Sequence, residues 1–204
     1  GLVREAIIAN FFGTSAEYDI LLVALAFPLM VASILFAAIP SSAIPYLQNS
    51  GISGGKKTNI FKTKIFNVNS LLIIAVTVVV FLVLPLFKNL LVKGMAPESA
   101  NLVIWFGRLF CLIIPFKAYE ALFRSLLHYR HHFIFPTVNA IGFNLVIIII
   151  LLSTFTSLRS YSFILAWLSG MMVQTLIVAI PAYFIYRCNR MPGETSSFQT
   201  GNYL

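Results

Sequence analysis

The sequence predicts an all-α membrane protein, a bundle of about six transmembrane helices. Two observations carry that expectation. Hydrophobic residues make up 59% of the chain and charged residues only 10%, whereas a soluble domain carries about 25% charged residues. Runs such as SLLIIAVTVVVFLVLPLF (70–87) and FNLVIIIILLSTF (143–155) leave almost nothing polar to face water. A helix of roughly 20 apolar residues spans a hydrocarbon core of about 30 Å. A third observation removes the alternative. Lipid satisfies no backbone group, so only helices and closed barrels cross it, and the period-two alternation of a barrel strand is absent here.

The apolar segments fall at about 1–15, 19–47, 66–88, 100–125, 134–156 and 161–187. The first is short and carries Arg4 and Glu5 close to its start. The second holds Pro28, Pro40 and Pro45; interior prolines remove helix hydrogen bonds, so a broken helix lining a cavity is expected there. Between the second and third lies QNSGISGGKKTNIFKTK (48–64), which reads as a flexible basic loop. It is not a phosphate loop, because Walker spacing demands G-x4-G-K-[ST] and Lys56 stands where the second glycine belongs. The remaining connections are short. Residues 1–190 read as one transmembrane unit and 191–204 as a polar tail or the start of a linker, with both ends resembling edges of a longer protein.

The net charge of +8 marks cytoplasmic loops and lipid headgroup contact in such a chain, not nucleic acid. With the N-terminus cytoplasmic, the inner loops hold Lys56, Lys57, Lys62, Lys64, Arg124, Arg130, Arg187 and Arg190. The outer loops hold Lys88, Lys93 and Arg159, offset by Glu17, Asp19 and Glu98. That asymmetry sets the orientation. Cys111 and Cys188 lack metal-ligand spacing and read as small buried or interfacial thiols; no cofactor is implied. His131 and His132 sit beside Arg130 in a short turn with no carboxylate or nucleophile near in sequence, so a solvated basic loop outweighs an acyltransfer base.

Charges inside the apolar segments need a reason, since a central Arg or Lys costs roughly 2.5–3.5 kcal/mol on insertion scales. Arg108 lies eight residues past Ala100, about 12 Å along a helix, and is expected to face the bundle interior. Lys117, Glu120 and Arg124 share one helix face at i, i+3 and i+7, where they can pair with one another. Asn139, Asn144 and Gln174 suit hydrogen bonds between helices.

The opening residues carry more. Gly1, Arg4, Glu5, Ala9, Phe12, Gly13, Asp19 and Pro28 match, in type and spacing, the first helix pair of the lipid II flippase (MurJ/MviN) family. Later segments resemble it more loosely, through Arg108, His132, Phe133, Pro136 and Asn144, then Leu165-Ala166-Trp167, Gly170 and Gln174. The resemblance implies one N-terminal lobe of a MOP-superfamily exporter in a bacterial cytoplasmic membrane, with a second lobe elsewhere in the full chain. It implies alternating access without covalent chemistry, a lipid-linked oligosaccharide substrate, and membrane lipids as surroundings. Arg4 and Arg108 would hold the substrate pyrophosphate, Asp19 would exchange partners with an arginine, and Asn144 and Gln174 would line the path. One departure stands out: where the family's second helix has two arginines and an acid, this chain has Ala32, Ser33 and Ala37. That leaves room for another lipid-linked saccharide. A multidrug or cation antiporter of the same superfamily would instead need a membrane carboxylate, for which Glu120 is the one deep candidate.

Overall fold

The computed structural model describes residues 2–51, 56–88, 96–129 and 132–188. Among them are seven α-helices: α1 Leu2–Phe12, α2 Ala16–Gly51, α3 Lys56–Val83, α4 Pro97–Phe110, α5 Ile113–Tyr129, α6 Ile134–Leu158 and α7 Ser160–Cys188. A 3-10 turn, Leu84–Phe87, extends α3. Five spans are long and apolar enough to cross a membrane: Ala16–Ser41, Phe66–Phe87, Pro97–His128, Ile134–Leu158 and Ser160–Phe184. The all-α membrane bundle therefore stands. The first segment gives a helix of 11 residues, about 16 Å long at the helical rise, and is not among the five.

Local chemistry explains the ends of α1. Gly13 sits at φ +56° and its N–H donates to the Ala9 carbonyl at 2.8 Å, the left-handed cap that only glycine adopts without a Cβ penalty. Ser15 then caps α2, its hydroxyl accepting the Tyr18 N–H at 3.3 Å. Glu17 and Asp19 occupy the first turn of α2, where carboxylates meet the positive end of the helix dipole.

Two expectations about breaks are corrected. Helix α2 runs continuously through Pro28, Pro40 and Pro45, so the break expected in the second segment is absent. Pro28 has no N–H for the Ala24 carbonyl four residues back, and α4 approaches there: a Cβ on Gly107 would lie 3.5 Å from the Ala24 oxygen and 2.8 Å from Leu84 Cδ2. The break falls instead in the fourth segment, between α4 and α5 at Cys111 and Leu112. Pro115 is its cause. Lacking an N–H, it leaves the Cys111 carbonyl to accept the tighter Ile114 N–H at 3.1 Å. The basic loop is also shorter than expected, since α2 reaches Gly51 and α3 begins at Lys56. Lysine and asparagine tolerate a helix far better than the glycines at the loop centre do. The tail at 191–204 lies outside the described residues.

Helices α2, α4, α5, α6 and α7 form the body. Its main core gathers Leu21, Phe106, Phe110, Ile113, Ile147 and Phe163, all nearly or fully buried. A second cluster of Ile39, Ile73, Ala118, Ala121 and Leu122 joins α2, α3 and α5. Thr175 adds a hydroxyl hydrogen bond from α7 to the Phe116 carbonyl of α5 at 3.0 Å. Helix α1 leans on α6, and α3 touches the body lightly, with most of residues 66–83 exposed.

Candidate functional site

Arg4 projects from α1 over a platform built by two other helices. Its guanidinium carbon lies 5.6 Å from the ring centre of Phe143 on α6 and 5.5 Å from that of Trp167 on α7. The two rings meet edge to face, 5.5 Å apart. Glu5, its neighbour in sequence, pairs with the same guanidinium. Aromatic faces attract a cation by about 0.5–2 kcal/mol, more as water is excluded. The rings therefore hold the head of Arg4 in place while 17% of its side chain remains exposed. The buried indole N–H of Trp167 has no acceptor among the described residues. A held guanidinium beside an unused N–H offers donors, and Glu5 is the hydrogen-bond acceptor of Arg4 among the described residues. Such a donor set suits an anion.

Asn144 adjoins Phe143 in α6. Its amide nitrogen donates to the Ala140 carbonyl at 2.7 Å, and its buried Oδ1 has no partner among the described residues. Asp19 is exposed in the first turn of α2 and forms no ion pair among the described residues. Arg108 lies elsewhere. It stacks on Phe81 of α3 at 5.3 Å, so Arg4 and Arg108 rest on different helices.

A second polar group lies inside the body. Glu120 is 1% exposed, and its two oxygens accept from Lys117 at 3.0 Å, Arg124 at 2.6 Å and Asn139 of α6 at 2.7 Å. Lys117 also reaches Gln174 of α7 at 3.5 Å. The Phe36 ring of α2 faces both cations, 4.9 Å from Lys117 Nζ and 5.1 Å from the Arg124 guanidinium. Two cations and three hydrogen bonds around one buried carboxylate tie α2, α5, α6 and α7 together. The spacing of Lys117, Glu120 and Arg124 announced their pairing. The aromatic platform under Arg4 was not foreseen, although Trp167 and Gly170 stood out in the sequence.

The family described as "Lipid II flippase MurJ" matches residues 8–195, nearly the whole chain. The chain belongs to the lipid II flippase MurJ family. A curated member, the lipid II flippase MurJ of Thermosipho africanus (strain TCF52B), is 27% identical over 149 residues, 73% of this chain and 31% of the relative. A solved structure titled "Lipid II flippase MurJ, inward closed conformation" superimposes with a TM-score of 0.72 at 24% identity, covering 89% of this chain and 38% of the other; that likeness concerns the fold. The chain thus spans about a third of the length of the family members it matches. Arg4 lies just ahead of the family match, which begins at Ile8, so the case for it rests on the aromatic platform and the motif around it. At the second-helix departure, Ala32 is fully buried, and the exposed Ser33 turns its hydroxyl to the Leu29 carbonyl at 2.8 Å. An arginine at position 32 would have to enter the core.

Proposed function

We propose that this chain is the N-terminal lobe of a flippase carrying lipid II across a bacterial cytoplasmic membrane by alternating access, with no covalent step. The family match over residues 8–195 carries the reading. The substrate is a lipid-linked saccharide whose pyrophosphate must cross hydrocarbon. Arg4 meets that group through paired, charge-assisted hydrogen bonds, its head steadied by Phe143 and Trp167. Asp19 competes for the guanidinium in one state of the cycle and releases it in the other. Asn144 and Gln174 line the path. Residues 1–190 act as one lobe, the N-terminus faces the cytoplasm, and the second lobe in the rest of the chain closes the cavity.

Alanine at position 32 and serine at 33, in place of the arginine pair, favour one second reading, a flippase for a different lipid-linked saccharide. An antiporter finds less support, because Glu120 already holds two cations.

Arg4→Ala in the full chain, reconstituted in vesicles, is expected to slow translocation of labelled lipid II by about ten- to a hundredfold, the worth of a hydrogen bond to a charged group. Arg4→Lys should fall between, since it keeps the charge and loses the fork. Undiminished transport by Arg4→Ala would remove this residue from the mechanism. An O-antigen-type precursor carried faster than lipid II would favour the second reading.

A further inference from the structure

Arg108 lines a cavity of about 450 Å³ between α3 and α4. The walls are apolar, with Val78, Phe81 and Leu82 from one side and Trp105, Leu109 and Leu112 from the other. Val78, Leu82, Trp105 and Leu112 are each about half exposed or more, so the cavity opens sideways off the bundle. Arg108 stacks on Phe81, its buried Nε has no hydrogen-bond partner, and no carboxylate pairs with it among the described residues.

We propose that this cavity binds an anionic phospholipid, with the phosphodiester on Arg108 and one acyl chain in the groove beneath. Depth supports it. Lys88 and Asn101 meet at 2.8 Å and mark the polar end of α3 and α4. Arg108 lies seven residues further along α4, about 10 Å deeper, and helical side chains tilt back toward their N-terminus. Its head is thereby brought within reach of a lipid phosphate. Trp105, one turn nearer that end, stands where tryptophan prefers the interface. Leu109 follows on α4, Leu112 sits in the break beyond it and Val78 lies deeper on α3, so much of the apolar groove lies below the cation, in the order of a lipid's own parts.

The chemistry selects the occupant. One guanidinium matches one negative charge, and apart from Thr77, whose hydroxyl donates to the Ile73 carbonyl at 2.7 Å, the walls are apolar and poorly suited to the hydroxyls of a saccharide. The site is therefore distinct from the transport path, and it stands whether or not the chain carries lipid II.

Native mass spectrometry of the full chain, released from micelles with phosphatidylglycerol or phosphatidylcholine added, tests this. The wild type should retain phosphatidylglycerol about fivefold better, the preference one basic residue near anionic headgroups gives. Arg108→Gln should bind both lipids equally, and Arg108→Lys should keep much of the preference. Val78→Trp fills the groove and leaves Arg108 in place, so it should lower retention of both lipids; this variant decides the matter if Arg108→Gln fails to fold. A preference that survives Arg108→Gln, none in the wild type, or unchanged retention in Val78→Trp would overturn the site. So would cross-linking of Leu82→Cys in vesicles to a second copy or to the other lobe, because the groove would then be occupied by protein.

Discussion

Glu120→Ala destabilises the lobe by about 3 kcal/mol, the lower end of what removing one partner from a buried ion pair costs. The carboxylate is the shared acceptor of Lys117, Arg124 and Asn139. Its loss strands two cations on the same face of α5, two turns apart, and leaves the Asn139 amide without its acceptor. Lys117 and Arg124 keep 20% and 26% of their side chains exposed, so some of their charge finds water or headgroups; this places the effect at the lower end. Asn139 is fully buried and has no such escape. Chemical denaturation in micelles, followed by circular dichroism, measures the change.

The same physics makes an opposite prediction for the triple variant Lys117→Met, Glu120→Leu, Arg124→Leu. Replacing a whole buried ionic group by apolar residues of similar volume is often neutral or stabilising. The triple variant should therefore lie well above Glu120→Ala in stability. If Glu120→Ala comes within about 0.5 kcal/mol of wild type, the range of an unremarkable surface change, the carboxylate does not organise the body.

How much of this was legible in the sequence differs from residue to residue. Helices α6 and α7 follow the apolar runs closely, because a membrane span must be continuous and nonpolar along its length. The pairing of Lys117, Glu120 and Arg124 was legible because it is local, set by helical spacing alone. The break at Cys111 and Leu112 was not read, although Pro115 announces it: a proline inside an apolar run bends, breaks or is tolerated according to its neighbours. Pro28 in α2 leaves the helix intact and Pro115 does not, and the residues beside each do not separate the two cases. Arg108 was expected to turn inward, yet it stacks on the lightly attached α3. Depth along a helix says how costly a charge is, not which way it faces. The platform for Arg4 depends on α1, α6 and α7 meeting, a tertiary fact no local pattern encodes.

Gly170→Leu is the substitution that tests that meeting. A Cβ at position 170 would lie 3.0 Å from Cδ2 and Cε2 of Phe143 and 3.1 Å from Cγ1 of Ile147. Both neighbours are buried, so neither ring nor branch can simply swing into open space. Overpacking of this kind costs about 1–3 kcal/mol, and a leucine belongs at the upper end. The contrast is Gly142→Ala: there a Cβ would approach only the Cδ1 end of Ile177, at 2.4 Å, and a flexible side-chain end can turn aside. Gly170→Leu should thus lower the thermal midpoint in micelles while Gly142→Ala leaves it nearly unchanged. A tolerant Gly170 would mean that α6 and α7 pack less closely than these distances require. The functional consequence follows from what the ring carries. Phe143 is one of the two faces on which the Arg4 guanidinium rests, so a ring pushed aside at Gly170 loosens a cation on a third helix. Phe143→Leu removes the ring without adding volume at the seam. If the platform positions Arg4, both variants slow transport of labelled lipid II, whereas Gly142→Ala, which on the same seam meets the Ile177 side chain, does not.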